Sequence, residues 1–203
     1  MADFTLNPTH LDLERCPHCG VMRPYANALG TFETNNFKQS NQRVWFVYKC
    51  NACGGLITAT GRAVNHPVVQ LFPQISEISS DVPERAREYL KQAVESLSSP
   101  AGSVMLCASA VDAMLRAKGL SAGTLYSRID EAAKNLLITS EMAKWAHQVR
   151  LDANDQRHAD DSAALPDEKD ASRSIEFAKG LASILFELPA RVTRGIKATQ
   201  VEQ

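Results

Sequence analysis

Apolar residues are distributed in two different ways along this chain. Up to about residue 75 they come in short runs rich in β-branched and aromatic side chains. Val44-Trp45-Phe46-Val47-Tyr48 and Leu56-Ile57-Thr58-Ala59-Thr60 flank a tight Cys/Gly turn, a pattern that predicts a hairpin. Val68-Val69-Gln70-Leu71-Phe72-Pro73 predicts one further strand. The polar stretch Asn35-Asn36-Phe37-Lys38-Gln39-Ser40-Asn41-Gln42 has little to bury and predicts an exposed loop.

From Asp81 onward the period becomes helical. Asp81 with Pro83 signals a helix start, followed by Val82, Ala86, Tyr89, Leu90, Ala93, Val94 and Leu97, and Ser98-Ser99-Pro100 closes that helix. A second helix carries Val104, Met105, Ala108, Val111 and Leu115 and stops at Gly119. A third runs from about Thr124 through Leu125, Ile129, Ala132, Ala133, Leu136 and Leu137. Ser140 is the expected cap of a fourth, with Met142, Trp145, Ala146 and Val149 on its apolar side. The polar stretch from Asp155 to Pro166 predicts a loop. Asp167 or Asp170 opens a fifth helix bearing Ile175, Ala178, Leu181, Ala182, Ile184, Leu185 and Leu188, ended or bent by Pro189, and the residues from Ala198 on are expected to fray. The expected fold class is α+β: a small β module over residues 1–75 and an antiparallel helical bundle over residues 76–203.

Cysteine spacing sharpens the first module. Cys16-Pro17-His18-Cys19 and Cys50-Asn51-Ala52-Cys53 are each followed by glycine, Gly20 in one case and Gly54 with Gly55 in the other. Two thiolates two residues apart grip one side of a tetrahedral ion, and glycine lets the backbone turn its N–H groups toward sulfur. Two such knuckles supply four ligands and leave no open position, which predicts a structural zinc ribbon with Cys16, Cys19, Cys50 and Cys53 as ligands. Disulfides need an oxidising compartment, and the start Met1-Ala2-Asp3-Phe4 has neither the basic nor the apolar region of a secretory leader. A redox pair needs no twin. His18 is read as a bystander, and Cys107, among Met105, Leu106 and Ala108, as a buried thiol.

Charge adds little. The 203 residues carry a formal charge of −1 and are 44% hydrophobic. Residues 1–75 hold six Lys/Arg against four Asp/Glu, and residues 76–203 hold sixteen against nineteen. Neither balance is the strong basic stripe of a dedicated phosphate-backbone binder. No apolar run approaches the ~20 residues of a bilayer span, so a cytoplasmic protein with no membrane partner is expected.

One stretch stands apart: Arg150-Leu151-Asp152-Ala153-Asn154-Asp155-Gln156-Arg157-His158-Ala159-Asp160-Asp161. On a helix Arg150 and His158 lie roughly 80° apart, with Asn154 between them. An imidazole that moves protons beside a guanidinium that holds a phosphate oxygen is chemistry suited to a phosphodiester. The competing expectation is structural: Asn154 shapes the helix end, and Asp152, Asp155, Asp160 and Asp161 pair with the two arginines.

Two C-x-x-C pairs followed by helices and then Arg-x-x-small-Asn-x-x-x-His resemble a bacterial domain-of-unknown-function family, four-one-four-five, of the HEPN superfamily. That family's late motif reads Arg-x-x-Gly-Asn-x-x-Ala-His, matched here by Arg150, Asn154 and His158, with Ala153 for the glycine and Arg157 for the alanine. Gly123-Thr124-Leu125 resembles its Gly-x-Thr-Leu stretch. The Arg…Glu pair often found on the second helix is replaced by Ser109 and Asp112, and the closer Arg…His spacing of many HEPN ribonucleases is missing. The resemblance implies an all-helical fold over about residues 80–190, a homodimer, and a binding or regulatory role linked to RNA or another nucleic acid in defence or stress response. The alternatives are a metal-independent endoribonuclease using His158 and Arg150 or Arg157, and a protein–protein adaptor.

Overall fold

A computed structural model of the chain describes residues 4–74, 78–158 and 164–201. The chain forms two compact units, Met1–Glu77 and Ile78–Gln203.

The first unit is an antiparallel meander in the order β1-β2-β3-β4-β5: β1 (His10–Leu11), β2 (Ala26–Thr34), β3 (Arg43–Cys50), β4 (Leu56–Gly61) and β5 (Gln70–Phe72). β3 shows why it forms. Val44, Phe46, Tyr48 and Cys50 are buried, whereas Arg43, Trp45, Val47 and Lys49 are partly exposed, the period-two pattern of a sheet with one covered face. Under that face lie Leu6, Leu11, Leu13, Ala26, Ile57 and Ala59. The N-terminal segment is tied down by the Leu6 N–H donating to the His66 carbonyl (2.8 Å) and the Tyr48 hydroxyl to the Asn7 carbonyl (2.7 Å). Residues 35–42 form an exposed loop. The longest strand, β2, lies outside the runs that announced strands, because Asn27, Gly30 and a bulge between Ala28 and Gly30 interrupt its alternation.

The second unit is helical: α1 (Glu84–Glu95), α2 (Pro100–Ala117), α3 (Leu125–Lys134), α4 (Ser140–His158), α5 (Glu168–Ala182), a π-helical turn (Ser183–Glu187) and α6 (Leu188–Val201). α2 packs against α1, α3, α4 and α5. It buries Val104, Cys107, Ala108, Ala110, Val111, Met114 and Leu115, more than one face's worth, as befits a central helix. Facing positions are often alanine (Ala86, Ala93, Ala132, Ala143, Ala146, Ala153, Ala171, Ala178), which lets the helices approach closely. Among the described residues no helix is long and apolar enough to cross a membrane.

Helix boundaries depart from expectation in several places. Asp81 does not cap α1: Pro83 occupies that position, and the Asp81 carboxylate takes a two-pronged ion pair from Arg194 at 2.8 and 3.0 Å. Thr139, not Ser140, caps α4, its hydroxyl accepting from the Met142 N–H at 3.2 Å. Leu136 is not core. It lies past the end of α3 at φ 59° and is 89% exposed, where the N–H groups of Leu136 and Leu137 close the helix on the carbonyls of Ala133 and Ala132. Residues 155–158 are helix rather than loop, because the Asp, Gln and Arg of this stretch are themselves helix-compatible and Ala153 still anchors the turn in the core. Pro189 does not end the fifth helix: α5 passes without a break through the π-helical turn, which lies immediately before Leu188-Pro189, into α6, and helix continues to Val201.

Other sequence signals match the structure. Gly119, at φ 91°, ends α2 with the Leu120 N–H bound to the Leu115 carbonyl and the Gly119 N–H to that of Arg116. Both candidate aspartates open α5. Asp167 caps it, and Asp170, three residues on, accepts from the Asp167 N–H.

Candidate functional site

The two cysteine turns are built alike. In the first, the Cys16 N–H meets the Val21 carbonyl at 3.0 Å and the Gly20 N–H returns to the Cys16 carbonyl at 3.0 Å. In the second, Cys50 N–H meets Gly55 carbonyl at 3.0 Å and Gly54 N–H returns to Cys50 carbonyl at 2.8 Å. Gly20 and Gly54 sit at matching positive φ of 70° and 75°, the conformation that favours glycine. Each turn aims a backbone N–H at sulfur: His18 at Cys16 Sγ and Gly55 at Cys53 Sγ, both 3.4 Å. The register of β2 and β3 then sets the turns side by side.

The four sulfurs lie within 4.8 Å of one another, and Cys16 Sγ and Cys53 Sγ are 3.9 Å apart. Metal–sulfur bonds of ~2.3 Å in a tetrahedron put sulfurs about 3.8 Å apart, so the cluster has the size and donor set for an ion. Cys16 and Cys50 are buried, Cys19 is half-buried and Cys53 is exposed. Burial pushes the Cys16 thiol up to about 12 and raises Cys19 as well. For Cys50 burial acts in the same direction, but the N–H groups of Cys53 and Ala52 outweigh it and lower the thiol. A cation bound among the four sulfurs would favour their ionised form. His18 is turned away from the sulfurs: its Nε2–H donates to the Leu56 carbonyl at 2.7 Å. Its ring lies so close to Gly55 that a Cβ there would stand 2.5 Å from His18 Cδ2. Cys107 is an isolated buried thiol, pushed up to about 12 by burial.

Arg150, Asn154 and His158 are set at four-residue intervals inside α4, so they share one stripe. Asn154 and His158 are exposed and Arg150 is half-buried. Asn154 does not terminate the helix, which runs four residues beyond it. The expected aspartate–arginine pairs do not form among the described residues. Asp152 accepts from the Gln148 amide at 2.7 Å, and Arg150 instead lies over the Tyr126 ring at 5.3 Å. Asp160 and Asp161 lie outside the described residues. Ala153 is buried in the helical core.

The sequence reading missed three neighbours of this stripe. His147, three residues before Arg150, hydrogen-bonds Asp130 of α3 at 2.9 Å and packs on Tyr126 with ring centroids 4.7 Å apart. The signal was present: His147 falls on the same helical stripe as Arg150, Asn154 and His158. Asp112 also has a partner. Arg128 of α3, only 4% exposed, binds it through Nε at 2.7 Å while also holding the carbonyls of Ala122 and Gly123, and Arg116 adds a second contact at 2.8 Å. That pair pins the Gly123-Thr124 turn, where the Thr124 and Ser127 hydroxyls cap α3 reciprocally.

A cleft of about 570 Å³ opens on the other side of α4. It is lined by Trp145, Gln148, Asp152 and Asp155 of α4 and by Asp170 and Arg173 of α5. Arg150, Asn154 and His158 do not line it, and its three aspartates suit a phosphodiester poorly.

Neither the curated proteins nor the solved structures contain a match to this chain. A family match covers residues 91–199, more than half the chain; it takes in the whole polar stripe and leaves the cysteine cluster outside. By that match the chain belongs to the family described as Domain of unknown function (DUF4145).

Proposed function

We propose that this is a cytoplasmic zinc-ribbon protein with a HEPN-like helical bundle that binds RNA or another nucleic acid in a regulatory role, in defence or stress response. The observation that carries it is the α4 stripe: Arg150, Asn154 and His158 stand on one side of a helix, and neither Arg150 nor Arg157 is ion-paired among the described residues. Among the described residues no carboxylate competes for those two cations, which favours contact with phosphate oxygens and base edges.

Cys16, Cys19, Cys50 and Cys53 would hold one zinc ion, which cross-links the two turns when bound. With four sulfurs as ligands it has a structural task, and nucleic-acid contact falls to the side chains. The helical unit pairs as a two-fold dimer, the commonest symmetry, which brings two α4 stripes and their cations together. Leu188, Val192 and Ile196 support self-association: each is more than half exposed and they form one apolar stripe along α6.

Binding is tested by anisotropy of a labelled single-stranded RNA against the full chain at several salt concentrations. Affinity should fall as salt rises and should drop in Arg150→Ala and His158→Ala. Salt-independent or absent binding overturns the proposal and leaves the adaptor alternative, which co-purification with a protein would support. If wild type cleaves the RNA without added divalent metal and His158→Ala does not, the endoribonuclease alternative replaces it.

A further inference from the structure

The partly exposed face of the sheet carries a row of aromatic rings that its core does not use. Phe32 of β2 and Phe72 of β5 are 49% and 44% exposed. Between them stands Trp45 of β3, with ring centroids 6.3 Å from Phe32 and 6.5 Å from Phe72 and ring planes within 8° and 24° of parallel. Register explains the row. Phe32 pairs with Trp45, Trp45 with Thr60, and Thr60 with Gln70. Phe72 pairs with Thr58, two residues from Thr60 on the same face. The β4 positions between the rings are thus threonines, small enough to pass beneath. Thr60 belongs to this outward face yet is 1% exposed, so its neighbours cover it. Trp45 is fixed by its indole N–H donating to Thr34 Oγ1 at 2.8 Å.

The charge on this face has one sign. Arg43 and Lys49 flank Trp45 and Val47 on the same face of β3, and Arg43 reaches across to Gln70 Oε1 at 3.0 Å. The single carboxylate in the five strands, Glu33, pairs with Val44 and so has the opposite parity. Near-parallel rings, two flanking cations, an amide and no carboxylate among the strand residues of this parity are complementary to a polyanion with planar bases. A duplex hides its base faces, and an acidic peptide does not by its nature carry a regular series of ring faces to stack on the row. We infer that this sheet face is a stacking platform for single-stranded nucleic acid, with bases on Phe32, Trp45 and Phe72 and phosphates near Arg43 and Lys49. The inference rests on the nucleic-acid function proposed above but places the bases on the sheet unit rather than on α4.

The test uses the full chain with a fluorescein-labelled oligo(dT) and oligo(U), and a duplex of equal length. Phe32→Ala and Phe72→Ala should each weaken single-strand binding about 5- to 100-fold. Phe32→Leu and Phe72→Leu keep apolar packing and remove only the ring; they should weaken it comparably, with unchanged circular dichroism. In a Trp145→Phe background Trp45 is the one remaining tryptophan, and its emission should be quenched when a strand binds. Arg150→Ala separates the two ideas. If it abolishes binding while the phenylalanine variants bind like wild type and Trp45 emission stays constant, the platform is wrong and the α4 proposal stands. If the phenylalanine variants lose binding and Arg150→Ala does not, the platform stands and α4 falls. Equal affinity for duplex, or loss of self-association in the phenylalanine variants with no change in strand binding, also overturns the platform.

Discussion

The two units of this chain solve the same problem with different means. The helical unit buries a continuous alanine-lined core around α2, and its helix ends are closed by local devices at Thr124, Thr139, Asp167 and Gly119. The sheet unit has fewer than eighty residues, one covered face and a short core cluster. Units of that size are marginal on burial alone, and many add a metal or disulfides as a staple. Stability in the helical unit is therefore spread over many small contributions, whereas an ion held by the four cysteines would concentrate it at one point of the sheet unit.

The largest expected effect breaks the sheet unit alone. Purified protein should contain one equivalent of zinc by elemental analysis. Cys50→Ser should lose it and unfold residues 1–75, while helical circular dichroism persists. Full metal loading in a variant with all four cysteines replaced by serine would contradict the assignment. Acid should act the same way. The Cys16 thiol, raised to about 12 without metal, must lose its proton to bind an ion, so metal affinity falls as pH falls. A metal-competition titration between pH 8 and 5, flanking neutrality, checks the sign.

Next comes the most concentrated feature of the helical unit. Asp112→Ala leaves the buried Arg128 guanidinium without its carboxylate and should cost about 3–5 kcal/mol in urea unfolding of the helical transition. Restoring stability by also changing Arg128 to Met would show that the loss came from the stranded charge. If Asp112→Ala costs less than about 1 kcal/mol, the pair is not a keystone.

Smaller effects sharpen the contrast. Gly55→Ala forces a Cβ against the His18 ring and should destabilise the sheet unit by roughly 1–3 kcal/mol, leaving the helical transition unmoved. Leu136→Gly should have the opposite sign. It relieves a left-handed leucine and removes an exposed apolar side chain, and should stabilise the helical unit by about 1 kcal/mol. His158→Ala, on an exposed stripe, should change thermal unfolding by no more than about 0.5 kcal/mol, so any loss of RNA binding in that variant is functional.

Much of this was readable along the chain, where the physics is local. The C-x-x-C-Gly turns specify their own hydrogen bonds, because a loop of five residues has few ways to aim an N–H at sulfur. The alternation in β3, the cap at Asp167 and the stop at Gly119 are equally local. Only the tertiary structure decided the rest. The sequence marks Asp112, Arg128, His147 and Asp130 as ordinary polar helix residues, and nothing short-range pairs residues sixteen or seventeen positions apart. The same holds for Asp81, whose partner Arg194 lies over a hundred positions away. The row Phe32–Trp45–Phe72 exists because strand register carries three distant residues onto one face. Local spacing determines turns, caps and periodicity through backbone geometry. Which charges meet and which rings align depends on register and packing, properties that no window of sequence contains.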